Sequence, residues 1–100
     1  MTIEIRHDLD HNRFVARTAH GEATLEYSRA DPDTLDYRST FVPLEDRGAG
    51  IGEELVLHAV DWAEASGFDV RPSCPFVRRV LEEHPGRAEH PERAHAAHAD

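Results

Sequence analysis

Residues 44–55, LEDRGAGIGEEL, place Gly48, Gly50 and Gly52 behind Arg47 and ahead of an apolar-periodic run. Glycines at this density cost backbone entropy on folding, so they serve a tight turn or a close approach to the backbone. Spacing alone leaves two readings open. One is a strand-to-helix turn without a ligand; the other is an anion seat on the first-turn amides of a helix. Known phosphate loops narrow the second. A P-loop needs lysine after its last glycine, but Gly52 is followed by Glu53. The dinucleotide fingerprint, started at Gly48, would need a third glycine where Glu53 stands. The pattern R-x-x-G-x-G fits Arg47, Gly50 and Gly52, and Arg47 adds a charge-assisted contact to any phosphate held there.

Cys74, within PSCPF, is the single cysteine and stands at the start of a second helix pattern. The field at a helix start favours the anionic form of a thiol. Such a group could accept a proton, carry an acyl group transiently or touch a thiol cofactor. It could equally be a small buried residue near a cap. Arg78 and Arg79 lie off the apolar face of that helix, where they meet solvent or reach a phosphate. His84 ends the helix, and a cation there suits the dipole. His90, His95 and His98 lie near the end of the chain; His95 and His98 could share a helical face and bind a metal weakly, but no cysteine or firm second pair supports them, so no metal site is expected.

The elements that must position these residues are legible from periodicity. TIEIRHD, HNRFVART, GEATLEYSR and TLDYRSTFV each alternate apolar and polar residues, with turn residues between them, and read as four antiparallel strands. In the fourth, alternation puts Leu35, Tyr37, Ser39 and Phe41 on one face, and Pro43 stops the strand. Over Ile51–Ala65 the spacing becomes helical, with Glu53 and Glu54 in the first turn and Gly67 as a C′ cap. FDVRPS is a short fifth strand. CPFVRRVLEEH is a second helix with Pro75 at its first position, burying Phe76, Val77, Val80 and Leu81. Strand, helix, strand in this order predicts parallel fourth and fifth strands across a right-handed crossover. Tyr37 and Trp62 read as core. Residues 1–85 form one α+β domain with a mixed sheet, and residues 86–100, which lack large apolar side chains, form a polar tail.

The chain has 100 residues and a formal net charge of −9, with eleven basic residues that are all arginine. Overall repulsion of phosphates argues against nucleic acid or an anionic membrane as partner. Without lysine, no side-chain amine is present for a Schiff base. One cysteine excludes an internal disulfide and suits a reducing, cytoplasmic setting. No membrane-length apolar run or signal-peptide pattern is evident.

FVPLEDRGAGIGEELVLHAVDWAEASGF resembles the acetyl-CoA-binding segment of the GNAT superfamily of N-acetyltransferases. VRPSCPFVRRVLEEHP, with its Cys-Pro-Phe stretch and a helix ending in His-Pro, is similar to the short single-domain GNAT-like members. The resemblance covers residues 11–85. It implies a minimal GNAT-like fold, with an antiparallel meander, a helix, a parallel strand and a C-terminal helix. It implies a cleft where the fourth and fifth strands splay. Coenzyme A pantetheine would pair with the backbone at Phe41 and Val42. Pyrophosphate would sit on Arg47, Gly48, Ala49, Gly50, Ile51 and Gly52. The implied activity is acetyl-CoA-dependent N-acetyl transfer to an amine of a small molecule or peptide. The alternative is an acyl-CoA-binding module without strong catalysis, acting as a sensor or partner subunit. A homodimer could complete the acceptor site. Acetyl transfer needs positioning, an oxyanion donor and a proton acceptor. Cys74 and Ser39 are the candidates for that chemistry. The family commonly has histidine where Ser39 stands, and a serine cannot titrate in its place.

Overall fold

The structure is a computed structural model that describes residues 3–85. The expected tail at 86–100, with its three histidines, lies outside the described residues. Five strands form one sheet in the order of the sequence. They are β1 (Ile5–Asp8), β2 (Arg13–Thr18), β3 (Gly21–Asp31), β4 (Thr34–Phe41) and β5 (Asp69–Pro72). The first four pair antiparallel, and β4 pairs β5 in parallel over Thr34–Asp69 to Tyr37–Pro72. The mixed sheet and the parallel final pair follow the sequence expectation.

Helix α1 (Ile51–Ala65) carries its periodic apolar residues Leu55, Val56, Ala59, Val60 and Ala63 into the core. They meet Phe14, Ala16, Ala23, Leu25, Leu35 and Tyr37 from the sheet. Each large side chain buried this way contributes roughly 1.5–3 kcal/mol of transfer free energy. Gly67 ends the helix with φ +84°, the left-handed conformation that glycine adopts without a Cβ penalty. Helix α2 (Pro75–Glu83) starts with Pro75 and buries Val77, Val80 and Leu81, while Phe76 is half-buried. Tyr37 is fully buried, and its hydroxyl donates to the Ala59 carbonyl at 2.6 Å, which ties β4 to the middle of α1. Burial pushes the Tyr37 phenol well above its ordinary range, so it stays a neutral donor.

Trp62 is half-buried in an aromatic cluster rather than deep in the core. His7 on β1 stacks on Phe14 with ring centres 4.1 Å apart and meets the Trp62 edge at 4.4 Å. Its Nε2 lies 2.6 Å from the Tyr27 hydroxyl. Burial, and secondarily the charge of His58, holds the His7 imidazole below its usual value.

One expectation about the sheet is overturned. The β3–β4 pairing steps from Tyr27–Tyr37 to Glu26–Ser39, so Arg38 is an extra residue on β4, a β-bulge. The extra residue reverses the alternation beyond it. Ser39 and Phe41 therefore do not share the face of Leu35 and Tyr37: both are exposed, Phe41 to 53%. Thr40, opposite Leu25, and Val42 turn toward the helices instead.

Candidate functional site

The parallel pairing ends at Tyr37, but β4 continues to Phe41 while β5 stops at Pro72 and the chain turns into α2. The strands part there. The Cys74 amide donates to the Tyr37 carbonyl at 3.0 Å and closes the apex of the gap. Beyond it lies a cavity of about 580 Å³, in the range of small-molecule sites. Thr40 and Val42 line it from β4, residues of the glycine loop from the start of α1, and Phe76, Arg79, Val80 and Glu83 from α2.

The three glycines have different physical reasons. Gly48 and Gly50 have φ of +89° and +83°, left-handed conformations that a Cβ would strain, and open space surrounds both. Gly50 is the N-cap of α1 and accepts from the Glu54 amide at 3.0 Å. No side chain caps this helix start, so the first-turn amides are left to water or to a ligand. Gly52 lies within the helix and makes room. A Cβ there would sit 3.0 Å from Phe76 Cζ and 3.3 Å from Val42 Cγ2. The close approach expected of the loop is thus real at Gly52, and what approaches is Phe76.

Two clamps fix the loop. Arg47 donates from Nε to the Val42 carbonyl at 2.9 Å, which holds its guanidinium at the cavity. Asp46, just before it, is 9% exposed and accepts from the His20 amide at 3.1 Å and from His20 Nδ1 at 2.8 Å. These hydrogen bonds hold the Asp46 carboxyl below its ordinary value. A third link joins the two helices beside the cavity. Glu53, in the first turn of α1, meets His84 at the end of α2, Nε2 to Oε2 at 2.7 Å. Of the neighbouring arginines, Arg78 donates to the Pro72 carbonyl at 3.2 Å and braces the strand end. Arg79 stacks over the Phe76 ring at 5.2 Å and lines the cavity.

The sequence-predicted residues are only partly brought together. Val42, Arg47, Gly48, Gly50, Ile51 and Gly52 line one cavity. Ala49 is exposed on the loop, and Phe41 is exposed on the strand. Cys74 is 6% exposed at the N-cap of α2, with Sγ 3.5 Å from the hydroxyl of Thr40, which lines the cavity. Ser39 is exposed, and the bulge turns it off the Thr40 face. Thr40 is the cavity residue that alternation missed. Asp46 and Glu83 also went unmarked, and Glu53 was marked only as a first-turn acid, because a carboxylate that lines a cavity has no sequence pattern of its own. Among the described residues, no group of three or more His, Cys, Asp or Glu is arranged to hold a metal ion, and no helix is long and apolar enough to cross a membrane.

A mixed sheet whose parallel pair splays beside a glycine-rich helix start is the architecture of an acyl-transferase fold. Residues 13–90 match the family model described as GCN5-related N-acetyl-transferase, and the chain belongs to that family. Among solved structures it is similar to the NMR solution structure of a GCN5-like protein from Staphylococcus aureus, at 22% identity and a TM-score of 0.63. That match covers 84% of this chain and 82% of the other, and shows a shared fold. No curated protein matches the sequence.

Proposed function

We propose that the protein is an acetyl-CoA-dependent N-acetyltransferase acting on an amine of a small molecule or peptide. The observation that carries this reading is the uncapped start of α1. It is wrapped by two left-handed glycines and opens into the cavity where β4 and β5 part. These residues fit coenzyme A. Backbone amides of the loop and the positive end of the helix suit a pyrophosphate. Arg47 keeps four of its five N–H donors beyond the one spent on Val42. The β4 edge beyond Tyr37, around Phe41 and Val42, offers backbone groups to pantetheine amides. Acetyl-CoA, when bound, supplies an acetyl group activated as a thioester.

Cys74 and Thr40 are the polar side chains we assign to the reacting end. Their contact holds Sγ beside the cavity, where the thiol can take or return a proton. The geometry favours Cys74 over Ser39, which the bulge carries off that face. One feature favours the alternative of an acyl-CoA-binding module with weak catalysis. The position where the family commonly has histidine is an exposed serine. Calorimetric titration with acetyl-CoA tests what both readings share, and no binding at millimolar cofactor rejects both. Release of coenzyme A with a panel of amines, amino acids and peptides then separates them. Turnover with any acceptor establishes the enzyme, and binding without turnover establishes the module.

A further inference from the structure

Glu53 poses a conflict at the cavity. A carboxylate in the first turn of a helix stabilises the helix through the dipole. The same carboxylate lines the space where the loop would receive a phosphate, and there it repels. Its partner is distant in sequence, since His84 lies 31 residues on, at the C-cap of α2. An ionised carboxylate only accepts, so His84 Nε2 is the donor across their 2.7 Å contact. Their side chains are 32% and 43% exposed, so solvent screens the pair in part and the contact acts mainly by fixing where the carboxylate sits. Asp46, the cavity carboxylate on the other side of the loop, is likewise bonded to a histidine, His20.

We infer that His84 is a positioning residue for anion binding: it engages the Glu53 carboxylate and so admits a phosphate-bearing ligand to the glycine loop. The inference rests on the coenzyme A reading of the same cavity. It assigns a task to the His-Pro end of α2, beyond closing the helix. It also implies that the helix end selects for the phosphorylated part of the ligand, not for its thiol arm.

The test is calorimetric titration of the whole chain with coenzyme A and with pantetheine, which lacks the phosphates. Wild type, H84A, E53Q and the E53Q/H84A double variant are compared. H84A is expected to bind coenzyme A about tenfold more weakly, the scale of one lost hydrogen bond to a charged group, which leaves the Glu53 carboxylate unheld beside the loop. Its pantetheine affinity should stay within about twofold of wild type. E53Q should bind coenzyme A at least as well as wild type, and the double variant should recover most of the loss. An equal loss of coenzyme A and pantetheine affinity in H84A would make His84 merely structural and overturn the inference. So would wild-type coenzyme A binding by H84A, or failure of E53Q to rescue it. Absence of coenzyme A binding by wild type is a different failure, since it removes the proposed function itself.

Discussion

Replacing Gly52 by alanine sets two known effects against each other. In a helix, Ala is favoured over Gly by up to about 1 kcal/mol, and less near an end. The added methyl would lie 3.0 and 3.1 Å from two Phe76 ring carbons and 3.3 Å from Val42 Cγ2. Carbon pairs are most stable at roughly 3.5–4.0 Å, so the ring must move by about half an ångström. Phe76 is half-buried, packed against the core on one side and covered by Arg79, so the ring moves only at the loss of those contacts. Overpacking of this kind costs about 1–3 kcal/mol. The overpacking term wins, and the net loss is about 1 kcal/mol. For a domain of this size that lowers Tm by roughly 4–8 °C. Thermal unfolding followed by circular dichroism measures it. The control is Phe76→Leu in the same background, which removes the ring atoms the methyl meets. The double variant should lose less than the sum of the two single changes. An alanine variant as stable as wild type, or more stable, would refute the claim that Gly52 is required for packing. So would strict additivity with Phe76→Leu.

Further outcomes follow from other contacts. Tyr37→Phe deletes the buried donor to the Ala59 carbonyl and should cost about 1–1.5 kcal/mol, read as a lower urea midpoint at unchanged slope. Cys74→Ala should lower turnover by about 100-fold while coenzyme A affinity holds, and full turnover in a folded variant would remove the thiol from the chemistry. Asp46 gives a pH dependence of definite sign. His20 hydrogen bonds depress its carboxyl in the folded state from the ordinary 3.8, so the unfolded chain takes up the proton first on acidification. The stabilisation is therefore full above the ordinary value and is lost as pH falls through the folded one. The dependence of Tm on pH below about 4.5 should be shallower in Asp46→Asn.

The architecture was legible because its signals are local. Alternation marked the first four strands, and the helical period with Glu53, Glu54 and Gly67 marked α1 at Ile51–Ala65, the bounds the structure shows. Pro75 marked the start of α2. The glycine loop was legible as an uncommon composition but not as three separate causes. Left-handed φ at Gly48 and Gly50 is a property of the turn, whereas the need for Gly52 resides in a ring 24 positions away. The link from His84 to Glu53 and the one from His20 to Asp46 join residues 31 and 26 apart, and no periodicity encodes such a pairing. The face of Ser39 and Phe41 was misread because a bulge adds one residue without leaving a Gly or Pro to announce it. Arg38 looks like any exposed strand residue until its pairing partner is known.

That extra residue also explains why there is space to bind anything. Were Arg38 taken up into regular pairing, Phe41 would turn inward, toward the start of α1, and its ring would occupy the volume that Thr40 and Val42 leave open. By counting one residue too many, β4 serves two masters. Up to Tyr37 its inward side chains are buried in the core; beyond the bulge Thr40 and Val42 line the cleft, with Val42 still packed against the edge of that core. One strand thus serves as core and as cleft wall in succession, and the residues where the two meet, Val42 with Gly52 and Phe76, answer to both.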